Sequence, residues 1–108
     1  MISLSQKDLA EWQERNFGKV SSEYLALGVA EETGELCHAI LKRSQKIREG
    51  ANGEKLKDEI GDAFADIIIY GINLMEVEGI DAEKVLAKTI QSILKRDWKK
   101  FPKDGLTQ

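Results

Sequence analysis

Apolar residues recur along this chain at intervals of three and four, the spacing of one helical face, rather than in the alternation of a half-buried strand. That regularity predicts an all-α protein. Ser5 is placed to cap a first helix running to about Asn16, with Leu9 and Trp12 on its inner face. The segment FGKVSS then breaks the pattern. A second helix is expected from about Ser22 to Ser44, its inner stripe formed by Leu25, Val29, Glu32, Leu36 and Ile40. The polar stretch QKIREGANGE reads as a loop. A third helix follows from about Lys55 to Glu78, with Gly79 as its C-cap, and Asp81 caps a fourth. The stripe of that fourth helix is Val85, Thr89 and Ile93, completed by Trp98 or Phe101. Four helices with short connections favour a four-helix bundle-like protomer. The only proline is Pro102, and no linker, repeat or low-complexity tract interrupts the chain, so residues 1–108 are expected to form one domain.

A chain of 108 residues buries only about two-thirds of its unfolded surface. Its core is therefore small, and a homo-oligomer, a dimer or a dimer of dimers, is expected. The net charge of −3 argues against a nucleic-acid-binding face, which needs clustered Lys and Arg. Cys37 is the single cysteine; it reads as a small buried hydrophobe and has no partner for an intrachain disulfide or a Cys cluster. The N-terminal stretch MISLSQKDLAEWQ is too polar for a signal peptide, and no apolar run approaches the roughly 20 residues of a membrane span. The expectation is a cytoplasmic protein with no membrane partner.

Against this apolar background, the carboxylates stand out. Glu32 and Glu35 are three residues apart within LGVAEETGELCHAI, so both leave the same side of the second helix. The third helix repeats the arrangement in KDEIGDAFADIIIYG, where Glu59 and Asp62 are three apart and Asp66 follows one turn later. If the two helices pack antiparallel, the carboxylates of both pairs converge in one partly buried spot. Two like charges about 4 Å apart repel by roughly 4 kcal/mol at an effective dielectric of 20, so such a cluster needs protons, basic side chains or metal ions. Hard oxygen ligands without His or Cys suit Mg²⁺, with Mn²⁺ as the alternative. Solvated acidic faces are the competing explanation. Two pairs in successive helices, each set in an apolar run, weigh against it.

Glu31-Glu32-Thr33-Gly34-Glu35 fits EExxE and Glu59-Ile60-Gly61-Asp62 fits ExxD, with 24 positions from Glu35 to Glu59. Together they resemble the signature of the MazG-like all-α nucleotide pyrophosphohydrolases. EWQERNFG before the motifs and ILKRDWKKFP after them resemble the flanks of that family, so the likeness covers nearly the whole chain. It implies an enzyme that hydrolyses (deoxy)nucleoside triphosphates to the monophosphate and pyrophosphate with Mg²⁺, for house-cleaning or nucleotide-pool control. Carried over by position, Glu32, Glu35, Glu59 and Asp62 would be metal ligands, and Glu31 would support a ligand or orient the attacking water.

The same resemblance suggests Lys95 and Arg96 as phosphate contacts, and Trp12, Asn16 and Phe17 as the base pocket. Lys95 and Arg96 also suit a solvated helix C-terminus, and Trp12 also suits plain core packing. Asp66 departs from the apolar residue expected one turn after ExxD, and could read sugar or base or assist a ligand. His38 is expected to face outward with no catalytic role. Gly34 and Gly61 would permit close helix approach. Two alternatives stand beside this reading: phosphoribosyl-ATP pyrophosphohydrolase, which uses a related acidic helical fold, and a non-catalytic helical module whose acidic patch binds a basic partner.

Overall fold

A computed structural model describes residues 3–47 and 54–107. All regular structure among them is helical: α1 (Gln6–Phe17), α2 (Ser22–Gln45), α3 (Glu54–Val77) and α4 (Ala82–Leu94). The helix limits expected from periodicity hold to within one residue for α1–α3. The expected loop at 45–54 falls mostly on residues 48–53, which lie outside the described residues.

The caps explain most of the boundaries. Ser21 accepts from the Tyr24 N–H at 3.1 Å and starts α2, and Asp81 accepts from the Lys84 N–H at 3.1 Å and starts α4. At the end of α3, Gly79 takes φ 72°. Its N–H bonds the Glu76 carbonyl while that of Ile80 bonds the Met75 carbonyl, the paired closure of a Schellman motif. Lys46 closes α2 in the same way at φ 57°, although it carries a side chain. Ser5 differs from expectation. It precedes α1 in a left-handed conformation, and its side chain caps nothing.

Helices α2 and α3, each 24 residues and so about 36 Å long, form an antiparallel hairpin that carries most of the packing. Leu25, Ala39, Leu56, Ala63 and Ile72 are buried along its seam. Gly28 makes the pairing possible at one point: a Cβ there would meet the Tyr70 ring at 2.4 Å. Helix α1 packs on α3. Its inward residue is Gln13, which is buried, whereas Trp12 is 43% exposed; the expectation for Trp12 is thus corrected by about 100° of helix rotation.

The start of α1 is tied to the α3–α4 turn through Gln6, which donates to the Ile80 carbonyl at 2.8 Å and accepts from the Ala82 N–H at 2.8 Å. Leu4 adds an N–H bond to Glu83 at 2.7 Å. Ser22 bonds Glu78 across the hairpin end. Helix α4 touches α3 only near this turn, and Val85 and Ile93 of its apolar stripe stay 48% and 59% exposed. Trp98 does not cover the stripe; it stacks under Arg96, 5.6 Å from the ring centre, in the C-terminal turns.

Candidate functional site

The hairpin register places the carboxylates. Gly28 lies against Tyr70 and Ser22 against Glu78, so continuing the antiparallel pairing sets Glu32 opposite Asp66 and Glu35 opposite Asp62 and Ala63. The result is an open cleft of about 580 Å³ lined by Glu31, Glu32, Glu35, His38, Glu59, Asp62, Ala63 and Asp66. All five acidic motif residues read from the sequence are there, and Asp66 joins them. His38 lies on the wall too, exposed as expected but beside the carboxylates.

Among the described residues, no lysine or arginine lines this cleft. Burial, reinforced by Asp66, Glu31 and Glu35, pushes the Glu32 carboxyl above the ordinary glutamate range. The same groups act on the Tyr70 phenol, which burial also raises, with Tyr24, Glu31, Glu32 and Asp66 adding to the effect. Tyr70 therefore stays a neutral donor at physiological pH. The expected convergence is looser than the spacing suggested. Glu32 is half-buried while the other carboxylates are exposed, and no three described His, Cys, Asp or Glu side chains stand close enough to hold an ion between them. The donor set itself is oxygen-rich and anionic, which fits a hard divalent cation.

Several expected substrate contacts are not brought to the cleft within one protomer. Trp12 and Phe17 form an exposed edge-to-face pair with centroids 5.8 Å apart, and Asn16 donates to the Trp12 carbonyl at 2.8 Å. Arg96 donates to the Asp104 carbonyl and stacks on Trp98. Neither Arg96 nor Lys95 lines the cleft. Cys37 is exposed, not buried: it sits on the outer face of α2, away from the seam made by Leu25 and Ala39.

A feature the motif reading passed over lies further along α3. Asn73 and Gln13 are buried polar residues at the α1–α3 junction, lining a second cavity of about 460 Å³. The sequence carried a signal for both. Gln13 follows Leu9 by one turn, and Asn73 continues the stripe Asp62, Asp66 and Tyr70 inside the apolar run YGINLM.

The fold is thus an all-α hairpin with an acidic cleft between its two long helices. The chain belongs to the MazG nucleotide pyrophosphohydrolase domain family, whose model matches residues 20–101. That segment holds both acidic motifs and begins after α1. No curated protein and no solved structure matches the chain.

Proposed function

We propose that this protein is a Mg²⁺-dependent hydrolase that converts (deoxy)nucleoside triphosphates to the monophosphate and pyrophosphate, with Mn²⁺ able to substitute. One observation carries the reading: six carboxylates from two helices face a single cleft that, among the described residues, has no lysine or arginine in its lining. Left without cations, that cleft repels a triphosphate. Glu32, Glu35, Glu59 and Asp62 would hold the metal, which when bound supplies a water of lowered pKa and neutralises phosphate oxygens. Glu31 borders the same wall and accepts a proton from, or orients, the attacking water. His38 and Asp66, at opposite flanks, are placed to meet polar substrate groups, Asp66 toward the sugar.

Trp12, Asn16, Phe17, Lys95 and Arg96 would reach a nucleotide only from a second copy of the chain, so the complete site belongs to a homo-oligomer, a dimer or dimer of dimers. The free thiol of Cys37 at the surface suits the reducing cytoplasm. The test is a panel of canonical and modified (deoxy)nucleoside triphosphates and phosphoribosyl-ATP with Mg²⁺, scoring pyrophosphate against phosphate release. Pyrophosphate release that stops with excess chelator is the expected result. Turnover that survives chelation would overturn the metal requirement.

A further inference from the structure

The acidic cleft is not uniform along its length. Glu31, Glu32 and Asp66 crowd one end, Glu35 and Asp62 face each other in the middle, and His38 stands at the other end near Glu59. The hairpin register that sets Gly28 against Tyr70 brings His38 opposite Ile60, the neighbour of Glu59. Among the described residues, His38 carries the only side-chain nitrogen in the lining. It also continues a row. Glu31, Glu35, His38 and Lys42 are spaced by four, three and four, so all four side chains leave one face of α2. Along that face the chemistry changes from carboxylate to imidazole to ammonium over about 16 Å. Lys42 is half-buried, and its Nζ donates to Gln45 Oε1 at 3.2 Å. That bond uses one of the three donors an ammonium carries.

A polyphosphate cannot lie equally well in both directions on such a row. Its anionic tail is repelled by the end where three carboxylates gather and drawn to the end where N–H donors and a cation take over. We infer that His38 and Lys42 form the subsite for the β- and γ-phosphates of the triphosphate. The nucleoside then points toward Asp66, and the leaving group toward Gln45.

This subsite rests on the triphosphate hydrolysis proposed above and gives that reaction a direction along the hairpin. The oxygen of the attacking water bonds to the α-phosphorus, and the bond from that phosphorus to the α,β-bridging oxygen breaks. The electron pair of the broken bond leaves with pyrophosphate, and the water proton passes to Glu31 or to solvent. Negative charge therefore builds on the β-phosphate as the bond opens. The His38 N–H and the Lys42 ammonium are placed to donate to those oxygens, and neither needs to transfer a proton. Ionised carboxylates cannot take this role, because they only accept hydrogen bonds.

The experiment titrates inorganic pyrophosphate and, separately, a panel of nucleoside monophosphates into the full-length protein with Mg²⁺, by calorimetry or phosphorus NMR, beside initial rates on the triphosphates. His38→Ala and Lys42→Met should each weaken pyrophosphate binding about tenfold or more and leave monophosphate binding within about twofold. His38→Gln keeps an N–H donor at similar reach and should recover most of the pyrophosphate affinity. Helical circular dichroism should match the wild type in all three variants, since neither side chain belongs to the core. A wild type that binds no pyrophosphate, or variants that bind it as the wild type does, would overturn the subsite. Loss of monophosphate binding in place of pyrophosphate binding would overturn it too, because the substrate would then lie the other way round. If the variants lose pyrophosphate but the wild type hydrolyses no triphosphate, the subsite stands and the catalytic reading falls. If hydrolysis is present while pyrophosphate is indifferent to both residues, the reverse holds.

Discussion

Single carboxylates decide whether the cleft is catalytic or merely acidic. Glu35 and Asp62 come one from each motif and face each other across the hairpin. Replacing either by Ala should lower turnover by at least about 100-fold, since even residues that only support a metal ligand cost 10- to 100-fold. The fold should survive, because removing one like charge from the wall relieves repulsion in the metal-free protein. Initial rates beside melting temperatures with and without Mg²⁺ check this; wild-type rates in both variants would end the metal-site reading. Glu32 adds a pH prediction. Its carboxyl is pushed above 4.5 by burial and by Asp66, Glu31 and Glu35, so the folded state binds the proton more tightly than the unfolded chain. The stability tied to that proton is fully present below 4.5 and is lost as pH rises through the raised value. Glu32→Gln should therefore melt higher than wild type at neutral pH without metal, and the difference should shrink toward pH 4. A variant that melts lower at pH 7 would show that Glu32 is stabilised, not strained, by its surroundings.

At the scale of elements, the two places where backbone and side chain meet most tightly are open to test. Gly28→Ala puts a methyl within 2.4 Å of the Tyr70 ring and should cost about 1–3 kcal/mol as the hairpin shifts to admit it. Chemical denaturation measures that directly, and no loss would mean that the ring moves freely. The C-terminal turns depend on Asp104, which accepts from the Thr107 N–H and the Leu106 N–H, each at 2.8 Å, and from the Thr107 hydroxyl at 2.8 Å. Those bonds, led by the Thr107 N–H, lower its carboxyl from 3.8 to about 2, helped by Arg96. A depressed folded value means that the turn is held above pH 3.8 and released as pH falls through about 2. The amide resonances of Leu106 and Thr107 should shift over that interval, and in Asp104→Asn they should be insensitive to it. These elements also show where sequence reading worked. Helices, their limits and both acidic motifs follow from periodicity and capping residues, which are local. Trp12 was misplaced, and Gln13 passed over, because a short helix with sparse apolar residues does not fix its own rotation; packing against α3 does. Cys37 was misplaced because residue type alone put it in the core, whereas it lies on the face of α2 turned away from the seam of Leu25 and Ala39. The amide pair could not be recognised as a pair, since Gln13 and Asn73 meet only when α1 docks on α3.

The whole molecule is larger than its core can account for. Its radius of gyration is 17.7 Å, against about 13 Å for a compact domain of 100 residues. Helix α4 makes little contact with the other helices, and among the described residues the outer face of the hairpin has no cover. On that face Leu27, Ala30, Gly34, Cys37 and Leu41 follow each other at intervals of three and four along α2, all exposed, with Leu27 at 70%. On α3 the matching row is Gly61, Phe64, Ile68 and Gly71, with Phe64 at 61%. A Cβ at Gly34, Gly61 or Gly71 would meet nothing within 4 Å, so the close approach that glycines at two of these places suggested does not occur inside the protomer. Glycine in a helix interior costs about 1 kcal/mol relative to alanine, a cost that the isolated protomer does not recover. A second hairpin laid against these rows would offset it, with the three-and-four spacing that helices use to interlock. The solution mass should accordingly be an integral multiple, not one copy, of 12.1 kDa at micromolar concentration. Phe64→Glu places a charge at the centre of the apolar face and should shift the protein to single copies while helical circular dichroism persists. Both measurements, by light scattering across a dilution series, bear on the same interface: a wild-type monomer, or a Phe64→Glu variant that assembles as the wild type does, would move the contact away from this face.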